Sequence, residues 1–91
     1  MARITIQPEQ LEEISRRFKS CSEQNETMAA ELKSLVQGLT GDWEGAARER
    51  FFQSYTGAHK ELEQVSVMLK EVGEELQAIA SRFRQADGQS K

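Results

Sequence analysis

The sequence contains little cysteine, proline and histidine and few strand-forming residues. These shortages exclude several classes of protein. The single Cys21 cannot form an internal disulfide, and one histidine with one cysteine supplies too few soft ligands for a zinc site. The scarcity of strand formers, together with abundant glutamate, favours an all-helical protein. A chain of 91 residues is expected to form one small domain with a thin core.

Long apolar runs and basic stripes are also missing. No segment approaches the roughly 20 apolar residues that span a bilayer, and the N-terminal MARITIQPEQ lacks the apolar core of a cleaved signal peptide. Fifteen acidic and twelve basic residues give a net charge of -3, without a basic stripe that would follow phosphates. These features argue against a nucleic-acid partner and against a membrane-active helix pair, whose polar face is usually basic.

The sequence contains no arrangement typical of a catalytic site. His59 is the sole imidazole, and no serine or cysteine stands at an informative spacing from it. Glu74 and Glu75 are adjacent helix positions that face different ways, so they cannot flank a substrate. The stretch GLTGDWEG lacks the lysine and the spacing of a phosphate-binding loop. We therefore predict a protein that is not an enzyme and that binds no cofactor and no metal.

Two series of apolar or small residues alternate in steps of three and four, which is the heptad pattern of packed helices. The pattern and its flanking signals place helix one at about 8–39 and helix two at about 43–84. A bend at about 40–43 joins them, and a flexible tail is expected at 86–91. So short a connection requires the helices to lie side by side and antiparallel. The first series is Leu11, Ile14, Phe18, Cys21, Asn25, Met28, Leu32, Leu35 and Leu39; the second is Phe51, Tyr55, Ala58, Leu62, Val65, Leu69, Val72, Leu76, Ile79 and Phe83.

One hairpin alone would leave much apolar surface uncovered. We therefore predict an all-α fold in which an antiparallel helix-turn-helix hairpin dimerises into a four-helix bundle, as a homodimer or as a heterodimer with a similar protein. The position of Cys21 within the first series predicts a buried, inert thiol. Residues expected to pack within the hairpin or the dimer are Phe18, Asn25, Met28, Leu32, Phe51, Phe52, Leu62 and Leu69.

Asn25 is the polar member of the first series. A polar group in a seam costs stability but penalises slipped alignments, so Asn25 is expected to help fix the register of the helices. Counting outward from a turn near Gly41 predicts that Asn25 lies near Gly57 and Ala58, with His59 able to reach it.

Trp43 stands at the bend, where its ring can close the end of the core while its indole N–H stays wet or hydrogen bonded. Gly45, one turn into helix two, costs about 1 kcal/mol relative to alanine, which suggests close approach by another group. A Trp43-Glu44-Gly45 motif at the centre of a helical hairpin resembles the WXG family, the small early-secreted-antigen-like substrates of bacterial type VII secretion. The resemblance covers nearly the whole chain.

The resemblance implies a dimeric four-helix bundle that is exported without a cleaved signal, through a membrane machine whose motor ATPase reads the substrate. Family members carry, after helix two, a tyrosine followed four residues later by an acidic residue, which acts as a secretion signal. Phe83 and Asp87 stand at these positions here. Phenylalanine lacks the hydroxyl, so either the ring alone suffices, or a partner or other residues supply the signal. By the same resemblance, Trp43 and Gly45 of one chain form a recognition site with Phe83 and Asp87 of another.

The resulting prediction is a protein made in the cytoplasm and secreted, which acts as a dimeric substrate or adaptor of type VII secretion. Its partners would be a second copy or a related WXG protein, and the secretion motor ATPase. The alternative is an intracellular coiled-coil scaffold or chaperone that is not exported and whose tryptophan is structural. Export that depends on Phe83 and Asp87 would distinguish the two.

Overall fold

The chain folds into two long helices that lie antiparallel in a hairpin of 72 × 26 × 15 Å. The computed structural model describes residues 6–39 and 43–89, with side chains described as far as residue 86. Helix α1 spans Pro8–Gln37 and helix α2 spans Gly45–Gln89. Neither helix of this described part combines the length and the apolarity needed to cross a membrane. The predicted all-α antiparallel hairpin is thus confirmed.

Helix α1 has recognisable signals at both of its ends. Pro8 is its first residue, where the missing N–H is not needed for an intrahelical hydrogen bond. At the other end, the Gly38 N–H donates to the Ser34 carbonyl at 3.0 Å, and the Leu39 N–H donates to the Val36 carbonyl at 3.1 Å. These bonds provide hydrogen-bond donors to carbonyl groups in the last turn of the helix, which would otherwise have none within the helix.

Helix α2 differs from the prediction at both of its ends. It begins at Gly45, and the Arg48 N–H donates to the Glu44 carbonyl at 2.9 Å in its first turn. It continues through Gln89, so residues 86–89, which were expected to belong to the tail, are helical. Each residue added to an established helix gains one hydrogen bond, which allows a long helix to extend over residues of modest propensity. Most of the predicted bend, residues 40–42, lies outside the described residues.

Small side chains form the contact between the two helices. Residues of this kind recur every seven positions and allow the two backbones to approach closely. The buried hydrophobic residues of the described chain are Leu11, Ala29 and Ala80, so the hairpin by itself has a thin core. The small, buried contact residues are Ser15, Ser22 and Ala29 of α1 with Ser66, Gly73 and Ala80 of α2.

Side-chain hydrogen bonds to the facing backbone fix the register of this contact. The Ser15 hydroxyl donates to the Gly73 carbonyl at 2.5 Å, and the Ser22 hydroxyl donates to the Ser66 carbonyl at 2.7 Å. Both pairs are centred on residue 44. The helices therefore pair about residue 44, whereas the sequence predicts a turn near Gly41.

This register changes the neighbours of Asn25. Its side-chain amide donates to the Leu62 carbonyl at 2.7 Å and to the Ser66 hydroxyl at 2.8 Å. The prediction that Asn25 lies near Gly57 and Ala58 was wrong, because the helices pair about residue 44 and not about a turn near Gly41. The predicted role of Asn25 in fixing register agrees with the two bonds it makes to α2.

Candidate partner-binding surface

One side of the hairpin carries exposed apolar side chains along its length. Residues seven apart on a helix lie nearly in line, so these side chains form stripes on α1 and α2 that face the same way. Leu35, at 69% exposure, is the most open of them. We call this surface the apolar face; it comprises Ile14, Cys21, Met28, Leu32, Leu35 and Leu39 with Phe51, Val65, Val72 and Phe83.

The predicted packing residues divide into two groups. Phe18, Asn25, Phe52, Leu62 and Leu69 are half-buried within the hairpin. Met28, Leu32 and Phe51 are exposed on the apolar face.

Cys21 also lies on the apolar face and is exposed in the single chain, contrary to the predicted buried thiol. The heptad pattern identified an apolar stripe correctly, but that stripe points away from the other helix of the same hairpin. The hairpin by itself therefore does not bury the Cys21 thiol.

The opposite side of the hairpin is charged, and long polar side chains bridge the helices there. The Lys19 ammonium donates to the Gln77 side-chain carbonyl at 3.0 Å. A groove of about 380 Å³ on this side is lined by His59 among other residues. His59 contacts residues of its own helix: its Nδ1 is 3.3 Å from the Tyr55 hydroxyl, and its Nε2 is 3.7 Å from the Glu63 carboxylate. The predicted reach of His59 to Asn25 is thus not observed.

An aromatic cluster occupies the bend end of the hairpin. The ring of Trp43 lies 5.4 Å from that of Phe51 and 6.4 Å from that of Phe52, measured between centroids. Phe51 and Phe52 meet edge to face at 5.3 Å, which is a favourable geometry for aromatic pairs. The Arg48 guanidinium lies 5.6 Å from the centroid of Phe52. Trp43 is therefore held by the first turns of α2 while 36% of it remains exposed.

Gly45 lies beside this cluster as the first residue of α2. A Cβ atom at this position would have no described atom within 4 Å. The predicted cost of a glycine inside a helix does not apply at the first helical position. The close approach expected at Gly45 is not made by the described part of the chain, so any group that approaches it comes from elsewhere.

Phe83 and Asp87 lie near the other end of the hairpin. Phe83 is 41% exposed on the apolar face, and Asp87 follows one turn later within α2. At 1.5 Å per residue, the helix separates Trp43 from Phe83 by roughly 60 Å. The structure thus does not bring the four predicted recognition residues together in one chain, and only a second chain can do so.

Four polar or small residues of the helix contact were missed in the sequence. Ser15, Ser22, Ser66 and Gly73 are buried and supply the hydrogen bonds or the space that the hairpin needs. The signal was present, because small residues recur every seven positions beside each apolar series. The two predicted series consist mainly of large apolar residues, and the small residues of the contact lie beside them.

Comparison with known proteins decides the family. The family model described as "Proteins of 100 residues with WXG" matches residues 3–88. The chain belongs to the WXG100 family. Trp43-Glu44-Gly45 supplies the WXG motif of this WXG100 protein, and the resemblance inferred from the sequence is confirmed.

Relatives with names and structures cover almost the whole of this WXG100 protein. It is 25% identical over 89 residues to the type VII secretion system extracellular protein A of Staphylococcus aureus, covering 98% of this chain and 92% of that protein. The crystal structure of the secreted protein EsxB from Bacillus anthracis superposes with a TM-score of 0.83 at 29% identity, covering 93% and 99% of the two chains. EsxA of Geobacillus thermodenitrificans gives a TM-score of 0.83 at 32% identity, covering 96% and 95%.

Proposed function

We propose that this protein is a small, non-enzymatic WXG100 protein exported by a bacterial type VII secretion system, where it acts as a dimeric secretion substrate or adaptor. Membership of the family supports export, as do relatives named as secreted or extracellular proteins. The single observation that carries the dimer is the apolar face, which runs along one side of a hairpin with very little core of its own.

We propose a second copy of the chain as the occupant of the apolar face. Removing a large apolar side chain from water contributes about 1.5–3 kcal/mol when burial is complete. Thirteen large hydrophobic residues are exposed in the described chain, and three hydrophobic residues are buried. Two hairpins that meet through this face would form a four-helix bundle with a shared core, and a two-fold axis would use the same face on both.

An antiparallel arrangement of the two hairpins would complete the recognition site. The bend of one chain would then meet the far end of the other, so that Trp43 and Gly45 approach Phe83 and Asp87 of the partner chain. No atom of the described residues lies within 4 Å of where a Cβ of Gly45 would be, which leaves room for such an approach. The partly exposed rings of Trp43 and Phe83 would serve as anchors for the secretion motor ATPase, since exposed aromatic residues often dominate binding energy.

The experiment that tests this proposal measures export of the intact chain into the culture medium. Wild-type protein is expected in the supernatant of cells that have the secretion motor ATPase and only inside cells that lack it. Trp43→Ala and Phe83→Ala should lower export about tenfold or more, as loss of an anchor of 1.4 kcal/mol or more would do. Met68→Ala is the matched control, because Met68 is an exposed apolar residue outside the apolar face.

Retention of the wild-type protein inside cells with an active secretion motor would contradict export. That outcome would favour the intracellular scaffold, in which Trp43 serves only to close the bundle. Equal export of the wild-type protein and the Phe83→Ala variant would contradict the recognition site while leaving export itself intact.

A further inference from the structure

Helix α2 extends past the start of α1. Helix α2 has 45 residues and helix α1 has 30. Because the helices pair about residue 44, Pro8 lies opposite Ala80. Residues 81–89 therefore extend beyond the first residue of α1, and we call this segment the overhang. The side chains of residues 81–86 are exposed. The overhang contains both Phe83 and Asp87.

An ion-pair network connects the overhang to the first turns of α1. The Arg84 guanidinium donates from Nε to Glu12 Oε2 at 3.0 Å and from Nη2 to Glu12 Oε1 at 2.7 Å. Its Nη2 also lies 3.4 Å from Glu9 Oε1. The planar guanidinium thus binds one carboxylate through two parallel bonds and reaches a second, which restricts its orientation far more than a single contact does.

The position of Arg84 explains how it reaches back to α1. It follows the fully buried Ala80 by one turn, so both residues lie on the side of α2 that faces α1. Side chains on a helix lean toward its N-terminus, which directs Arg84 from the overhang toward Glu12. The hydrogen bond from Arg84 lowers the pKa of Glu12, so this carboxylate is charged at neutral pH.

We propose that Glu9, Glu12 and Arg84 form a clamp that positions the overhang, and that the secretion machinery reads Phe83 and Asp87 in this helical, clamped form. Phe83 and Arg84 project about 100° apart around the helix. Fixing Arg84 against the charged side of α1 therefore fixes Phe83 toward the apolar face. The inference rests on the proposed function, because the clamp matters for export only if the overhang is read.

The sharpest test removes the clamp from α1 and leaves the overhang unchanged. The variant Glu9→Gln/Glu12→Gln removes both carboxylates that bind Arg84. The variant Glu13→Gln/Glu23→Gln makes the same change of charge at exposed positions of α1 and is the control. In the first variant, amide hydrogen exchange in residues 84–89 should accelerate about two- to fivefold, as expected for losing an exposed ion-pair network. Export should fall about twofold or more while the dimer mass stays unchanged.

Exchanging the charges tests the direct role of the ion pair. Arg84→Gln should reproduce the loss, and Glu12→Arg combined with Arg84→Glu should restore both slow exchange and export. A merely structural role for Arg84 would not predict this rescue. Equal export of Glu9→Gln/Glu12→Gln and its control would overturn the clamp. If Phe83→Ala is exported normally, the recognition site fails instead, and hydrogen exchange still reports whether the clamp holds the overhang.

Discussion

The backbones of Gly73 and Ser15 are in contact across the hairpin. A Cβ atom at Gly73 would lie 3.0 Å from the Ser15 carbonyl oxygen and 3.0 Å from Lys19 Cγ. The Ser15 hydroxyl also donates to the Gly73 carbonyl, so the same pair sets both the spacing and the register of the helices. The stability of the hairpin therefore depends on a residue without a side chain.

Two glycine-to-alanine substitutions should have opposite effects on stability. Gly73→Ala should lower the free energy of unfolding by about 1–3 kcal/mol, because the added methyl group forces the helices apart. Gly57→Ala, at a helical position where a Cβ meets no described atom within 4 Å, should raise it by about 0.5–1 kcal/mol. Urea unfolding of both variants checks this. If Gly73→Ala is as stable as Gly57→Ala, the close contact is not present in solution.

Asn25 should stabilise the pairing of the helices through its two hydrogen bonds to α2. Asn25→Ala removes the donor to the Leu62 carbonyl and the Ser66 hydroxyl, and we expect a loss of about 1–2 kcal/mol. Gln24→Ala, at the exposed neighbouring position, should change stability by less than about 0.5 kcal/mol. Chemical denaturation measures both, and equal effects would show that the Asn25 bonds do not fix register.

The sequence was sufficient to predict the helices and their antiparallel arrangement, but not the register. Heptad spacing and the central glycines predict two helices joined by a bend. This prediction does not depend on which sides of the two helices are in contact. The register depends on which stripe of each helix faces the other. The heptad pattern assigns the helix contact to the apolar stripe that contains Met28 and Leu35. In the structure, the small residues beside that stripe form the contact.

The proposed recognition residues were harder to place because they lie near opposite ends of the hairpin. Their identities came from the family resemblance, and no spacing within one chain predicts a contact between Trp43 and Phe83. The ion pair of Arg84 with Glu12 was also not predicted. These residues are 72 positions apart in the chain, so their contact can be predicted only when the register of the hairpin is known.

The contribution of the Glu12–Arg84 ion pair should depend on pH. The hydrogen bond from Arg84 lowers the pKa of Glu12, the charges of Arg84 and Arg16 add to this effect, and desolvation opposes it. A carboxylate with a lowered folded-state pKa stabilises the fold above its unfolded pKa, and loses that effect as the pH falls through the folded value. The stability difference between wild type and Arg84→Gln should be largest at neutral pH and disappear in acid.

Unfolding midpoints measured from neutral pH to about pH 3 test this dependence. Arg82→Gln is the control, because it removes the same charge two residues away. If the stability difference between wild type and Arg84→Gln is the same at all these pH values, Glu12 is not the residue through which Arg84 stabilises the fold.

The Cys21 thiol should report whether the apolar face is covered. It is exposed in the single chain and lies in the middle of that face. In a dimer held by the apolar face, a thiol reagent should modify Cys21 about tenfold or more slowly than in a monomeric variant such as Leu35→Glu. A dilution series monitored with the reagent checks this, and a rate that is independent of protein concentration and of Leu35→Glu would contradict coverage of the face.

The mass of the purified protein in solution, measured by light scattering, shows whether a second copy covers the apolar face. Coverage of the apolar face by a second copy predicts a particle of twice the chain mass of 10.3 kDa. Met28→Glu combined with Leu35→Glu should reduce it to the mass of one chain, while Val67→Glu combined with Met68→Glu, outside the apolar face, should leave it doubled. A wild-type protein that has the mass of a single chain at all concentrations would show that no second copy covers the apolar face.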